Sequence, residues 1–553
     1  MKKYSCSLIL VFFLLSVSVF GAGNKEAAAG GSAWKTVGTN DFGWQIPEKT
    51  LEITFYDASM QQTPDYAKDT TDEIGAYILK NFNVKLIKVA YDMDPSEQQS
   101  LMLASNTYPE IIAGMTPNDA EKWVAQSRVK DIAPYLDTYG PVIKKKLAPY
   151  QKRLVDSQGH LYVMPQYWGM LPIPDQAAHI RWDWWQAMGA PKFETPDEYY
   201  EVIKKMQALH PKNPRGERTY GISGYDHFKD IFPVLAGFWG LKAGYKEGPD
   251  KSLTHWINTP EGLAMTKFMN RFYRDDLLDP DAFINTYEQW KAKFSDERIV
   301  GHVGAWWVTT DAGHETWAKS IPNWTEDMRY LPVKLKAAEA RQAYLSPKNT
   351  TGDTRTIVTD HCTQIQNVLR WWNFEISDTG TRLIGWGIPN QPDSVWNYKD
   401  KTWSFTDQAV KAMLSSTFDY DHAEKVLGQV TFVMVAGQGL MDDGKSTIWF
   451  DQNFNDQDKW RKLMNTSLRD TEYDFSAFLS VVFPPEDPAT VTKRQVEDLL
   501  LSGWPDVVMA PTAAQCEQKF MALRDTLNKA GLKNLEAFLT KGYKQNLAAW
   551  GEQ

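Results

Sequence analysis

Several clusters of side chains in this sequence have the chemistry to hold a small polar ligand. Gln166, Tyr167 and Trp168 set two flat rings beside a side-chain amide. Trp306 and Trp307 are adjacent indoles, with the carboxylate of Asp311 on the same stretch. Trp386 stands between Gly385 and Gly387, which leave its indole unshielded, and Tyr56 with Asp57 ends an apolar run beginning at Leu51. Rings present flat apolar surface, while amides and carboxylates present directional hydrogen bonds. That pairing suits a molecule apolar on its faces and hydroxylated at its edges, as a sugar is. Rings are also ordinary core material, and the chain holds 23 Trp, 24 Tyr and 25 Phe, so most of them must be structural. Trp182, Trp184, Trp185, Trp371 and Trp372 fall in or beside helices with apolar neighbours and are read as core. Asp57 is equally suited to capping the loop after its strand.

Other chemistries lack their residues. Asp279 and Asp281 flank Pro280 just past a helix end, where aspartate is a common turn residue. Glycoside hydrolysis would need a pair of acids about 5–10 Å apart at a cleft, and no pair rises above that turn reading. His302 has no second ligand at metal spacing and is read as a satisfied histidine. There is no Gly-x-Ser-x-Gly elbow, no His-Glu-x-x-His, no cysteine–histidine cluster and no glycine-rich phosphate loop after a strand. No cofactor and no metal are therefore expected, and a nucleotide is not the expected ligand. A net charge of −9 without a basic run argues against nucleic acid. Cys516 shares a helix face with Phe520, Leu523 and Leu527, the pattern of a core thiol; a bridge to Cys362 is permitted, but no spacing demands it.

The elements that must carry these residues alternate. Leu51–Asp57 reads as a strand, 71–82 as a helix, 84–90 as a strand and 109–114 as another. Asp94-Pro95-Ser96-Glu97 and Thr116-Pro117-Asn118-Asp119 have the grammar of helix starts. Such alternation implies right-handed crossovers and a parallel sheet, with ligand at the carboxyl ends of its strands. Residues 56–59 and 114–116 occupy those ends. A strand at 161–164 is stopped by Pro165. Asp183 is expected to cap a short helix ending at Gly189, and Thr195 to cap the next through Glu198, with Tyr199, Val202, Ile203, Met206 and Leu209 facing inward until His210-Pro211. Residues 220–223 read as strand, 228–239 as an aromatic-rich helix, and Thr259-Pro260-Glu261 opens a long helix. Residues 298–307 read as a buried strand, on which alternation lets one of Trp306 and Trp307 line a cleft. The stretch 328–360 suits a crossing, and the remainder is largely helical.

DSQGHLYVMPQYW followed by HIRWDWWQAMGAPKFETPDEYYEVIKKM resembles the signature of extracellular solute-binding proteins, family 1, the ligand-capture subunits of ABC importers for sugars. INTPEGLAMTKFMNRFYRDDLLDPDAF, KFSDERIVGHVGAWW, QIQNVLRWWNFEISDTGTRLIGWGIP and the helical end agree in the same order, over most of the chain. The resemblance implies an α/β, two-lobed periplasmic-binding-protein fold (type II-like), closing on a carbohydrate and handing it to an ABC permease. It assigns 48–165 and 300–345 to the first lobe, and 166–299 and 346–553 to the second. The expected partners are a carbohydrate and permease subunits, without nucleic acid or stable membrane insertion, for a monomer that catalyses nothing. A secreted carbohydrate-active enzyme and a glycan-binding adhesin or sensory component are the alternatives.

Lys2 and Lys3 before the apolar run 8–20 read as a signal peptide (1–21), with 22–47 as a flexible tether. Many relatives of the family carry a lipidated cysteine after the cleavage site. Here Gly21-Ala22-Gly23 stands there and Cys6 precedes the apolar run, so an unlipidated periplasmic or extracellular protein is expected. Relatives that bind acidic oligosaccharides carry a calcium loop before the strand at 220–223. The matching 210–217 has Lys212 and Arg215 where carboxylates are needed, so no metal is expected.

Overall fold

A computed structural model describes residues 34–58, 73–89, 93–166, 174, 176–228, 231–352, 354–392, 394, 396–407, 459–484 and 486–552. It starts with a hairpin, β1 (Thr36–Thr39) against β2 (Gln45–Pro47). Trp44 pins this hairpin: its Nε1 donates to the Phe82 carbonyl at 2.9 Å and its ring meets Trp371 edge-on at 5.5 Å. The expected tether therefore ends by residue 34, and the hairpin beyond it is folded onto the first lobe. Its weak periodicity hid it, because a few aromatic anchors, not an amphipathic repeat, hold it down.

The predicted alternation then builds the first sheet. β3 (Leu51–Asp57) pairs in parallel with β4 (Val84–Lys88) and with β5 (Ile111–Met115). The helix starts behave as read: Asp94 accepts from the amides of Ser96 and Glu97, and Thr116 from that of Asp119. β6 (Val163–Gln166) joins this sheet only through a later strand, β13 (Thr354–Val358), which is antiparallel to both β5 and β6. One sheet face packs with the helix Ile365–Glu375, whose Trp371 and Trp372 are fully buried as expected. The other packs with the helices Pro95–Ser105 and Pro117–Ala125 through Tyr56, Ile112, Met115 and Trp123.

The second sheet has β7 (Gln176–Arg181) at its centre, flanked by β10 (Gly301–Ala305) and β11 (Tyr330–Val333), both antiparallel to it. Between them in sequence lies the hairpin of β8 (Tyr245–Glu247) and β9 (Leu253–His255). This pairing corrects the assignment of 300–345 to the first lobe. A strand buried along its whole length, as β10 is, reads the same in either sheet, and only its pairing partner decides. The crossing comes later, after β12 (Ser346–Lys348), and 354–407 belongs to the first lobe. There the helices Ile365–Glu375 and Asp378–Trp386 pack, as does the hairpin of β14 (Trp396–Lys399) and β15 (Thr402–Phe405), with Trp396 fully buried. The chain is back in the second lobe by the helix Lys459–Leu468, and β16 (Glu472–Asp474) pairs in parallel with β12. The helices Pro488–Val508, Ala513–Lys529 and Leu532–Trp550 complete that lobe.

Smaller departures have local causes. Asp183 caps nothing. It lies in the first turn of the helix Trp182–Ala187 and clasps the Arg181 guanidinium at 2.6 and 2.9 Å. Thr195 and Glu198 form the full capping box, but Leu209 is 63% exposed, because the helix ends there. Residues 220–223 make isolated bridges, Tyr220 with Ile299 and Ile222 with Leu278, in place of a strand. Trp182, Trp184 and Trp185 are half-buried. Cys362 and Cys516 are both buried, free, and in different lobes.

Candidate functional site

The carboxyl ends of β3, β5 and β6 lie on one edge of the first sheet, the edge from which the chain crosses to the second lobe. Asp57 ends β3 and is buried; Ala58 continues the pairing, its amide donating to the Ala113 carbonyl at 2.9 Å. Beside it is Lys88, the last residue of β4. Burial holds the Lys88 pKa below that of a free lysine, and the charge of Asp57 works against that shift. Gln166 ends β6 opposite Thr354, whose hydroxyl donates to the Gln166 side-chain carbonyl. Strand alternation sends Tyr56 the other way. It is fully buried in the core with Met102, Ile112 and Trp123, beneath the edge and not on it. Tyr167 and Trp168 lie outside the described residues.

In the second lobe, β10 lies beside β7, the first strand described after that crossing. Ala305 pairs with Gln176, so the segment opening at Trp306 starts where the crossing from Gln166 arrives. There the strand has already ended. Trp306–Thr309 is helical and a π-turn, Thr310–Glu315, follows, so the alternation argument for Trp306 and Trp307 does not apply. Trp306 is half-buried against the second-lobe core. The side chains of Trp307 and Asp311 are outside the described set. So is that of Trp386, which closes the helix Asp378–Trp386 in the first lobe, where the second had been expected; Gly387, at φ +79°, caps it. The structure thus places Gln166 against Gly352 of the crossing, with Asp57 at the same end of the first sheet, and Trp306 in the second lobe.

Residues 349–352 form the described crossing, and hydrogen bonds fasten them from both sides. The Asn349 side-chain carbonyl accepts from the Thr351 hydroxyl at 2.7 Å, and its amide donates to Gly352 O at 2.8 Å. Arg355, from the first lobe, donates to Thr351 Oγ1 at 3.0 Å. From the second lobe, Ser476 Oγ accepts from the Thr350 amide at 2.7 Å. Beside the crossing is a cavity of about 440 Å³ with walls from both lobes: Pro117 and Asn118 on one, Tyr245, His255 and Phe478 on the other, and Asn349 between them. Burial pushes the His255 imidazole down to about 3, so it stays neutral. Sequence reading singled out none of these residues as ligand-facing, because the hairpin and the crossing carry no periodic pattern.

Asp279, read as a turn residue, is structural with more force than expected, whereas His302 departs from its reading. Asp279 is a buried anion: Lys293 Nζ lies 2.7 Å away, Ser223 donates at 2.5 Å and Asn285 at 3.1 Å. Burial alone would raise its pKa, but these donors outweigh burial and hold it below the usual carboxylate range. His302 is not a satisfied histidine. It faces His179 across β10 and β7 with ring centroids 5.3 Å apart, and neither of its ring nitrogens has a hydrogen-bond partner among the described residues. Burial holds His302 neutral, and pushes His179 down to about 3. The 210–217 loop closes on itself. Asn213 accepts from the amides of Arg215 and Glu217 at 3.1 and 2.8 Å, and Arg215 pairs with Asp296 at 2.7 Å. Among the described residues no group of three or more His, Cys, Asp or Glu is placed to hold a metal, and no helix is long and apolar enough to cross a membrane.

No protein-family profile matches the chain. Lipoprotein LipO of Bacillus subtilis is 24% identical over 267 residues, covering 45% of this chain and 48% of LipO, so the chain spans about half the length of the curated relative it matches. Solved structures align far more fully. Alginate-binding protein AlgQ2, without calcium ion, superposes with a TM-score of 0.66 at 16% identity, over 91% of this chain and 99% of AlgQ2. The ABC-transporter substrate-binding protein FusA of S. pneumoniae, in complex with kestose, gives 0.67 at 17% identity, over 90% and 99%. An HMO-binding, ABC-transporter-associated solute-binding protein from Bifidobacterium longum infantis gives 0.64 at 14%, over 91% and 100%. The chain has the two-lobed α/β fold of these proteins, each of which is named as a binding protein and none as an enzyme.

Proposed function

We propose that this protein is an exported solute-binding protein that captures a carbohydrate between its lobes and presents it to an ABC permease. The observation that carries the reading is the likeness over about nine-tenths of the chain to proteins that bind alginate, kestose and HMO. The lobe boundary fits it. Asp57 and Gln166 end first-lobe strands on the side where the chain crosses, a cavity beside Asn349 takes walls from both lobes, and in this reading the Trp306–Trp307 pair supplies rings from the second. A ligand that touches both lobes only when they are together shifts the equilibrium toward that arrangement, which a permease could recognise. Tyr167, Trp168, Trp307, Asp311 and Trp386 remain in the proposed ligand set, with Trp306.

Calorimetric titration with kestose, alginate oligosaccharides and HMO tests the reading: saturable binding to one class is expected, and binding to none overturns it. Trp168→Ala, Trp307→Ala or Trp386→Ala should weaken that binding about tenfold while leaving the unliganded melt nearly unchanged. The binder reading also expects no release of reducing ends from the bound oligosaccharide. Steady release abolished by one Asp or Glu substitution would make the protein an enzyme. For the exported form we propose an unlipidated monomer, and a diacylglyceryl mass on the native protein would refute the first part of that.

A further inference from the structure

Arg153 spans the boundary between the lobes. It sits on a short first-lobe helix, Gln151–Leu154, and its side chain is only 16% exposed. Its Nε donates to Glu552 Oε1 at 2.9 Å, and Nη2 reaches the same oxygen. Its Nη1 donates to Asp474 Oδ2 at 3.1 Å and also to the Thr350 hydroxyl. The guanidinium carbon stands 5.1 Å from the centroid of the Trp550 ring. Thr350 is in the crossing, Asp474 ends β16, and Trp550 ends the helix Leu532–Trp550. Beyond that helix Gly551, at φ +77°, turns the chain back, and the Glu552 amide donates to Leu547 O at 2.8 Å, which fixes the carboxylate over Arg153. One first-lobe cation thus holds the crossing and two separate pieces of the second lobe.

We propose that Arg153 is a positioning residue for ligand capture, a latch that biases the equilibrium between lobe arrangements. This rests on the proposed capture between lobes. Charge-assisted hydrogen bonds need donor and acceptor within about 3 Å and fail when the partners slide a few ångströms apart. The helix Gln151–Leu154 moves with the first lobe, while Asp474, Trp550 and Glu552 move with the second. The latch therefore forms in one arrangement and breaks in others, so it contributes a free-energy difference between them and biases their populations. The planar fork matters: its separate nitrogens reach Glu552, Asp474 and Thr350 together, whereas a lysine ammonium is a single point.

The test measures lobe separation without ligand. Glu97 and Lys205 are exposed, one on each lobe, so the C6S/E97C/K205C chain takes a spin or dye label on both. Cys362 and Cys516 are buried, with thiols pushed up to about 12 and about 11, and will not compete. Arg153→Ala should shift the distance distribution, and Arg153→Lys should shift it in the same direction. Glu552→Gln should do so less, and Arg153→Ala added to Glu552→Ala should add little to either alone. Apparent affinity for the bound oligosaccharide should change on the order of fivefold. A distribution unmoved by Arg153→Ala, even with a lowered melting temperature, makes the residue merely structural and overturns the latch. Should Arg153→Ala fail to fold, Glu552→Gln and Trp550→Ala decide the matter by the same measurement. Failure of every oligosaccharide to bind would overturn the capture reading, while the distance measurement would still judge the latch.

Discussion

Asp279 and Lys293 show how far a buried charge depends on its partner. With Asp279 inaccessible and held by Lys293, Ser223 and Asn285, removing the ammonium would leave a carboxylate stranded in the core. Lys293→Ala should therefore cost about 3–5 kcal/mol in chemical denaturation, and any ligand affinity in the folded fraction should be unchanged. The His179–His302 pair predicts a pH dependence. Both rings are held neutral by burial, His179 down to about 3, while an unfolded histidine takes up a proton below about 6.5. Within that window the unfolded state binds more protons, so the pair's contribution is complete above pH 6.5 and lost as pH falls toward 3. His302→Phe should flatten the acid limb of a melting-temperature profile between pH 6.5 and 4; an unchanged limb would show that other groups govern it.

At the scale of elements, the 210–217 loop and the 349–352 crossing carry the consequences. The loop is organised by Asn213 and by the pairing of Arg215 with Asp296, a cation already supplied by the chain. Added calcium should not raise the melting temperature, nor a chelator lower it. Asn213→Ala should cost about 1–3 kcal/mol, since its buried amide also donates to the Asp296 carbonyl at 2.7 Å. In the crossing, Gly352 has φ +81°, and a Cβ there would lie 2.5 Å from the Gln166 carbonyl. Gly352→Ala should therefore destabilise by more than about 1 kcal/mol. It should also perturb ligand affinity, because the displaced neighbour is Gln166 itself. A normal affinity with a lowered melt would separate the crossing from the site.

For the molecule as a whole, the lobes are discontinuous: the described residues of 34–166 and 354–407 fall in the first, and those of 176–352 and 459–552 in the second. Motion between such bodies is concentrated in the segments that join them. Small-angle scattering should show a smaller radius of gyration with bound oligosaccharide than without it. An unchanged radius, with binding established by calorimetry, would mean that capture proceeds without closure.

Much of the local architecture was legible in the sequence because its causes lie within a few residues. The capping box of Thr195 and Glu198, the Asp94 and Thr116 caps and the boundaries of β3 each depend on neighbours at most a turn or a strand away. The succession of strand and helix also indicated the class of fold. Asp57 was placed at the carboxyl end of its strand by the rule that parallel strands present ligands there, and Gln166 was singled out as an amide beside two rings. Pairing was a different matter. β10 is buried along its length and could have entered either sheet, and only its register with β7 put it in the second lobe. β13 reached the first sheet from beyond the crossing, and the hairpin at 36–47 was held by single aromatic contacts that no periodicity announces. The contact of Arg153 with Glu552 joins residues 399 apart in sequence, and its grip on Thr350 joins residues 197 apart. An arginine's local surroundings do not specify which distant carboxylate it meets; the packing of the lobes does.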